Sequence, residues 1–514
     1  MSGPFNLASY FVDRNVELGR GDRAALVHDG GATTYAELAE LINRIGHVLL
    51  GLGVRPGHRV LLALADGVEF VATWYAAQKI GAVTAEVYTF LAAKDYAYHL
   101  TYTDARVVVV DTVTLDRMRI AVEHTDRTLL VVGDAGPLRE REVSFDALVA
   151  DAPAGLTAAP TAEDDVAIWK FTTGSTGAPK ACVHPAASAL HSFRCYAREV
   201  LDIGAEDVVL AVPKLFFGYA RDLVALFPFG VGGTGVVFPE RSTPERIFEL
   251  IRRHRPTILV NVPTMMSAMI AHVDAHGGTA PDLSCLRLCT SAGEALPEHL
   301  HRRWDALFGV QVLDGIGSSE AYHIYVSNRP GAVRHGTAGT EVPGYTARVT
   351  GEDRRPLPDG ETGALEITGP TTALEYFGEP AKSATTFFGA TVRSGDLFSR
   401  YADGFLHYRG RVDDLLKVGG VWVAPSEIEH CLVGHPDVLE CAVVGHPRDG
   451  LVLPRAYVVV RPGAAVTEDE LREFVRTTLS PHKYPRDVRL VAELPKTASG
   501  KVDRRALREP EGGP

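Results

Sequence analysis

The sequence predicts an α/β protein: a large N-terminal domain of mixed and parallel sheets with helices, carrying a β-rich subdomain, followed by a small α+β C-terminal domain. Three observations predict it. The 514 residues exceed what one hydrophobic core ordinarily serves. Helix-period and strand-period stretches alternate through the first part, the pattern of parallel strands covered on both faces. From Arg334 onward glycines and prolines punctuate short β runs, and Tyr408-Arg-Gly-Arg-Val-Asp-Asp414 then concentrates charge before a last mixed segment. The expected boundaries are 1–412 for the N-terminal domain, with the β-rich subdomain at about 334–410, and 413–514 for the C-terminal domain.

Taken in order, Thr34-Tyr-Ala-Glu-Leu-Ala-Glu-Leu-Ile-Asn43 has helical spacing and Arg59-Val-Leu-Leu-Ala-Leu64 reads as a buried strand. Glu245-Arg-Ile-Phe-Glu-Leu-Ile-Arg-Arg-His254 has an amphipathic helical period, and Thr257-Ile-Leu-Val-Asn261 reads as a strand ending at Pro263. Gly363-Ala-Leu-Glu-Ile-Thr368 is a β run of the subdomain.

Composition narrows the function. Hydrophobic residues make up 46% and the net charge is −12, so a basic footprint for nucleic acid is missing and no nucleic-acid partner is expected. No run of about eighteen apolar residues predicts a membrane span, and the start lacks a secretory pattern. Six cysteines in so long a chain make no disulfide framework, so the expected compartment is the cytoplasm. Cys285 and Cys289 lack a second ligand pair and read as core residues.

Chemistry concentrates in four segments. Phe171-Thr-Thr-Gly-Ser-Thr-Gly-Ala-Pro-Lys180 follows the apolar run Asp165-Val-Ala-Ile-Trp169. Gly174 and Gly177 let the backbone turn its N–H groups inward, Thr172, Thr173, Ser175 and Thr176 add hydroxyls, and Lys180 adds charge: a cradle for a triphosphate, or a Gly/Ser/Thr-rich surface turn. It lacks the Gly-Lys-Ser/Thr ending of the common nucleotide loop. Leu313-Asp-Gly-Ile-Gly-Ser-Ser-Glu320 ends in a carboxylate suited to Mg²⁺, a hard cation. Ser394-Gly-Asp396 supplies a carboxylate for ribose hydroxyls, and Arg411 with the distal Lys501 supplies positive charge for a reacting phosphorus.

With Ser291-Ala-Gly-Glu-Ala-Leu-Pro297, Gly410-Arg-x-Asp-Asp414 and Ser499-Gly-Lys501, these segments resemble the adenylate-forming superfamily of acyl-CoA ligases, standalone adenylation enzymes and luciferases, over nearly the whole chain. Pro213-Lys-Leu-Phe-Phe-Gly-Tyr219 and the stretch from Asp314 to Gly331 are most similar to benzoate-type aryl-CoA ligases. The resemblance implies stacked sheets in the large domain, a mobile C-terminal domain, and ATP, Mg²⁺ and coenzyme A as cofactors. It implies a nucleotide site at Thr172 to Gly177, Lys180, Ser291, Gly293, Glu294, Asp314, Gly315, Ile316, Asp396 and Arg411. Ser319 stands where Thr is usual and keeps the hydroxyl. Glu320 would hold the metal, and Lys501 would stabilise charge during adenylation.

The aromatic-acid pocket implied in the same way is lined by Gly218, Tyr219, Gly317, His323 and Ile324, with Lys417 reaching it from the second domain. Asp413 would be the hinge, and Gly419 and Gly420 would line a pantetheine tunnel. The acceptor is coenzyme A or a carrier protein's phosphopantetheine. A non-catalytic aryl-acid binding relative is a third alternative, and the oligomeric state is monomer or homodimer. His323 reads equally as a core histidine, and Phe216, Phe217 and Tyr219 as core aromatics. Arg221 and Asp222 stand where benzoate enzymes tend to have small or apolar residues. If either faces the pocket, a hydroxyl- or amino-bearing ring is favoured. If they pair with each other outside it, they carry no information on substrate.

Overall fold

The computed structural model describes residues 4–172, 178–418, 421–448, 451–461, 463–480, 483–496 and 502–508. The chain forms two compact units, Met1–Ala347 with Ile367–Arg393, and Arg348–Glu366 with Ser394–Pro514. Segments 348–366 and 394–412, which the sequence assigned to the first domain, therefore fall in the second unit. Strand pairing is the reason: Asp396 to Arg400 pairs antiparallel with Leu406 to Arg411, and the Gly360 N–H donates to the Arg400 carbonyl at 2.7 Å. Compactness does not locate a hinge, so the division at 413 stands as a proposal below.

The first unit holds two large sheets. In one, the strands run in the order Thr340–Glu341, Ile324–Ser327, Val312–Gly317, Leu288–Ser291, Ile258–Asn261, Val208–Ala211, Thr234–Val236, Ala24–His28 and Gly31–Thr34. Its interior pairs are parallel, and antiparallel strands close both edges. In the other the order is Glu375–Tyr376, Lys180–Pro185, Val166–Thr172, Val83–Glu86, Arg59–Ala63, Val107–Asp111, Thr128–Val132 and Glu142–Ser144. Val107 to Val110 are completely buried because central parallel strands are covered on both faces. The expected β-rich stretch does contain short strands, but they are shared out: Thr340–Glu341 and Glu375–Tyr376 edge these two sheets.

Local signals explain the elements that frame the site. Thr34 and Glu37 form a capping box that starts the helix Tyr35–Gly51. Thr243 caps Pro244–His254, with proline in its first turn, and Arg255 ends it at φ 46°. Pro263, which ends the strand Ile258–Asn261, opens the helix Pro263–Ala275. Cys289 is buried and Cys285 packs beside it in the core around Trp304 and Met266, as expected.

In the second unit the long hairpin Val438–Arg448 and Leu451–Val460 takes Asp487–Leu490 as a third, parallel strand. Ile428 and Leu432 of one helix and Leu471 and Val475 of another share its core. Among the described residues no helix is long and apolar enough to cross a membrane.

Candidate active site

Strands Val166–Thr172 and Lys180–Pro185 pair antiparallel with Thr172 opposite Lys180, so the two ends of the expected phosphate loop are held side by side. Thr173, Gly174, Ser175, Thr176 and Gly177 lie outside the described residues. The Lys180 ammonium sits 3.7 Å from the centroid of the Tyr376 ring, and the same tyrosine donates its hydroxyl hydrogen to Glu320 Oε1 at 2.8 Å. Burial and the Glu320 charge push the phenol well above its usual range, so it stays a donor. Tyr376 leaves Glu320 Oε2 without a hydrogen bond among the described residues, and a single oriented carboxylate oxygen fits Mg²⁺, which takes one or two carboxylates plus substrate phosphates.

Ser319, next to this carboxylate, is fixed through its backbone. Its carbonyl lies 2.7 Å from His184 Nε2, whose Nδ1 lies 3.2 Å from Ser188 Oγ. Burial holds His184 down at about 3, so the ring is neutral, donating from Nε2 and accepting at Nδ1. The Ser319 hydroxyl donates to the Phe171 carbonyl at 3.4 Å. His184 had no role in the sequence reading, and only its place after the Lys180 loop could have suggested one.

Ser291 and Asp314, expected from the sequence to face a nucleotide, are directly opposite on adjacent parallel strands. Ser291 Oγ and Asp314 Oδ1 are buried without a well-formed hydrogen bond, and burial raises the Asp314 carboxyl well above its usual range against the opposing Ser291 hydroxyl and Gly315 N–H. Two adjacent polar atoms left in this way suit a ligand's hydrogen-bonding edge. Gly293 follows at φ 86°. The Glu294 carboxylate accepts from the Thr264 N–H at 3.0 Å and from the Thr264 hydroxyl at 2.6 Å, in the first turn of the helix Pro263–Ala275.

The residues of this unit that the sequence expects to line an aromatic-acid pocket come together. Gly317 pairs with Ile324 across an antiparallel bulge, and a Cβ at 317 would lie 2.5 Å from the His323 carbonyl oxygen, so glycine is required. Gly315 and Ile316 belong to the same strand end. His323 Nε2 lies 3.3 Å from the Tyr219 carbonyl, and its ring packs among Phe227, Tyr196 and Tyr219. Burial holds His323 down at about 3, so it is neutral. The Tyr219 hydroxyl is 2.7 Å from Thr290 Oγ1. Phe216 and Phe217 pack at an angle to each other and to Tyr88.

Arg221 and Asp222 fit neither sequence alternative as framed. Both are buried, at 2% and 0% exposure, and both are paired inside the protein. Arg221 donates to Asp222 Oδ1 at 2.8 and 3.0 Å and to Glu86 Oε1 at 2.6 Å. Asp222 Oδ2 accepts from Lys170 Nζ at 2.8 Å. Two acids and two bases balance, so no ring substituent is required to satisfy them. Two members, Lys170 and Glu86, were missed, Lys170 because the apolar run was read only to Trp169. A lone lysine continuing a buried strand is itself a signal of a buried partner.

This quartet reaches the reacting segment through one carbonyl. Lys170 Nζ also donates to the Tyr322 carbonyl at 2.6 Å and sits over the Tyr322 ring. Tyr322 adopts φ 71°, ψ −57°, and the His323 N–H donates to the Ala321 carbonyl at 2.9 Å. That is the rarer, strained γ-turn, whose cost is on the order of 1–3 kcal/mol. Lys170 thus holds the bend between Glu320 and His323. Burial lowers its pKa to about 8 against the opposing pull of Asp222.

The second unit, taken by itself, holds another such pair. Asp396 and Arg411 are opposite on antiparallel strands, with Arg411 Nη1 donating to Asp396 Oδ1 at 3.0 Å. A Cβ at Gly395 would lie 2.4 Å from Arg411 Nη2, which accounts for the Gly-Asp sequence. Asp413 lies in the single helical turn Val412–Asp414, and Lys417 pairs with Trp422 in a short ribbon, its side chain outside the described part. Gly419, Gly420 and Lys501 also lie outside the described residues.

Two family models cover this architecture: the AMP-binding enzyme over residues 12–377 and the AMP-binding enzyme C-terminal domain over 427–501. The chain belongs to the AMP-binding enzyme family. Among the relatives of this AMP-binding enzyme, the benzoate–CoA ligase of Thauera aromatica is 43% identical, covering 98% of this chain and 96% of the relative. The 4-hydroxybenzoate–CoA/benzoate–CoA ligase of Rhodopseudomonas palustris is 38% identical, covering 98% and 94%. Among solved structures, a benzoate CoA ligase from Burkholderia xenovorans LB400 superposes at TM-score 0.90 with 40% identity, covering 98% of this chain and 100% of that one. An anthranilate CoA ligase in complex with anthranoyl-AMP superposes at 0.92 with 34% identity, covering 99% and 97%.

Proposed function

We propose that this enzyme is an AMP-forming aryl-acid–CoA ligase that activates a small aromatic carboxylate with ATP and transfers the acyl group to coenzyme A. One observation carries the reading. The pocket residues Gly317, His323 and Ile324 are on the same short segment as Ser319 and Glu320, so an aromatic acid in the pocket would place its carboxylate beside phosphate-handling residues. Full-length similarity to benzoate-type ligases supports it.

A carboxylate lacks a good leaving group, so activation begins with its attack on the α-phosphorus of ATP, giving acyl-adenylate and pyrophosphate. Lys180 attracts the outer phosphates, and the Ser319 hydroxyl is a phosphate contact. Ser291 and Asp314 offer polar atoms to the adenine, and Asp396, oriented by Arg411, accepts from the ribose. Glu320 would hold Mg²⁺, which neutralises phosphate charge when bound. Lys501 stabilises the charge that develops at the α-phosphate. For thioester formation the smaller domain turns about Asp413, Lys501 withdraws, and Gly419 and Gly420 admit the pantetheine thiol. Lys417 completes the acid site. These roles come from motif position.

The test is pyrophosphate release with ATP, Mg²⁺ and a panel of benzoate, hydroxybenzoates, aminobenzoates, cinnamate and short fatty acids, with and without coenzyme A, identifying the thioester by mass. Turnover that depends on an aromatic acid and yields aryl-CoA supports the proposal. Adenylate without CoA thioester replaces it with loading of a carrier protein, and no release with any acid overturns it. Lys501→Ala should abolish adenylation, with a loss of ~10²–10³ or more, and spare thioester formation from presynthesised adenylate.

A further inference from the structure

We propose that His301, Asp305 and His335 form a binding site for a divalent transition metal of the zinc class, separate from the Mg²⁺ carboxylate. His301 and Asp305 are one turn apart on the helix Glu298–Phe308, so both side chains leave the same face. His335 comes from the loop after strand Ile324–Ser327. One donor atom from each lies within 4.8 Å of the other two. His335 Nε2 is 2.7 Å from Asp305 Oδ2, and the His301 and His335 rings meet edge to face at 4.3 Å.

A second observation points to a ligand. His301 is 1% exposed, yet neither ring nitrogen makes a well-formed hydrogen bond, with only a loose approach to the Val312 backbone, and Asp305 Oδ1 is also buried and unpaired. Each such atom costs on the order of 1–3 kcal/mol if left so. A cation would take the lone pair of one His301 nitrogen and that of Asp305 Oδ1, leaving the other His301 nitrogen as the N–H.

The donor set selects the ion. Two imidazoles and one carboxylate suit Zn²⁺ or Co²⁺ rather than Mg²⁺ or Ca²⁺, which prefer oxygen. Metal–ligand bonds of about 2.0–2.2 Å set donors roughly 3.3–3.5 Å apart, within the present spread. The proton joining His335 Nε2 to Asp305 moves to Nδ1 of the same ring or to solvent. Asp305 and His335 side chains are 34% and 26% exposed, so water has access as a fourth ligand.

The site adjoins, in the chain, the strands of the proposed nucleotide site, which are tied together by other residues. Its helix connects the strand ending at Ser291 to the strand carrying Asp314. Its loop is tied back by Asn328, which donates to the carbonyls of Asp314 and Thr337 at 3.0 and 2.9 Å and accepts from the Arg334 N–H at 2.9 Å.

The experiment titrates the untagged full-length chain with Co²⁺, read by visible absorption, and measures Zn²⁺ retained after dialysis by elemental mass spectrometry. His301→Gln and the more exposed His335→Ala are run beside it, with pyrophosphate release as the check that both fold. Wild type is expected to hold about one equivalent, and each variant to bind at least ~10-fold more weakly, with release unchanged. Absence of binding by wild type, equal binding by wild type and both variants, or thiolate-to-cobalt bands that persist in both would each overturn the proposal, the last by placing the ion on cysteines. If His301→Gln does not fold, His335→Ala alone decides.

Discussion

Lys170 and Gly218 are complementary: a Cβ at 218 would lie 2.6 Å from Lys170 Nζ and 2.8 Å from its Cε, so the missing side chain of one residue is the space occupied by the other. Gly218→Ala should therefore move the ammonium off the Tyr322 carbonyl. Overpacking of this kind costs about 1–3 kcal/mol. The expected outcome is a fall in adenylation rate greater than the change in aromatic-acid KM, measured by pyrophosphate exchange. A rise in KM alone would mean that position 218 only shapes the pocket.

Lys170→Met removes one base from the quartet and leaves Arg221 as the cation on Asp222, beside the Tyr322 hydroxyl at 3.3 Å. Breaking a buried ion pair from one side costs roughly 3–5 kcal/mol, so the midpoint of chemical unfolding should drop sharply. Unchanged stability would show that Arg221 alone satisfies Asp222.

Tyr376→Phe keeps the ring beneath Lys180 and deletes the hydroxyl that orients Glu320. A hydrogen bond to a charged group contributes about 1.5–3 kcal/mol. The Mg²⁺ concentration giving half-maximal adenylation should rise roughly tenfold or more, with the aromatic-acid KM unchanged. A variant with unaltered Mg²⁺ dependence would remove Tyr376 from metal positioning.

Gly395→Ala puts a methyl group against Arg411 and should displace the guanidinium from Asp396. ATP binding, followed by calorimetry, should weaken by about tenfold, the loss of one charge-assisted contact, while the melting temperature stays near that of wild type. Unchanged ATP affinity would show that Asp396 does not need Arg411 to hold the ribose.

Acid stability follows from buried histidines. His99, His184 and His323 are held by burial at about 4, 3 and 3, below their ordinary 6.5. The unfolded chain binds protons below about 6.5 that the folded chain refuses, so their contribution to stability is complete above 6.5 and is lost as pH falls toward 4 and 3. Each histidine contributes a slope of about 1.4 kcal/mol per pH unit in that window. Unfolding free energy measured from pH 7 to 4 should fall accordingly, and His184→Gln should reduce the slope. A flat profile would mean that these rings protonate without unfolding.

The large domain was legible because its information is local: the capping box at Thr34, the proline before the helix after Asn261, and the four-valine run at 107–110 each specify an element within a few residues. The motif segments around Glu320, Ser291 and Asp314 are equally local in sequence, and the strands that carry Ser291 and Asp314 pair in register. Tyr376 and Glu86 were not legible, since each acts on a partner far away in sequence and neither lies in a motif. Glu294 is a motif residue whose carboxylate serves a helix end. The compact units divide elsewhere than at 413 because 396–400 pairs with 406–411, a long-range pairing that the change in composition does not reveal.

The self-balanced charges of Glu86, Lys170, Arg221 and Asp222 make the pocket an inherited block. Exchanging the 218–222 segment for that of another ligase would strand Lys170 and Glu86 without counter-ions, so single substitutions there should be poor guides to their combination. A library that varies the segment alone would sample mostly damaged proteins. One that varies all four positions together opens routes to new acids that stepwise selection would not traverse.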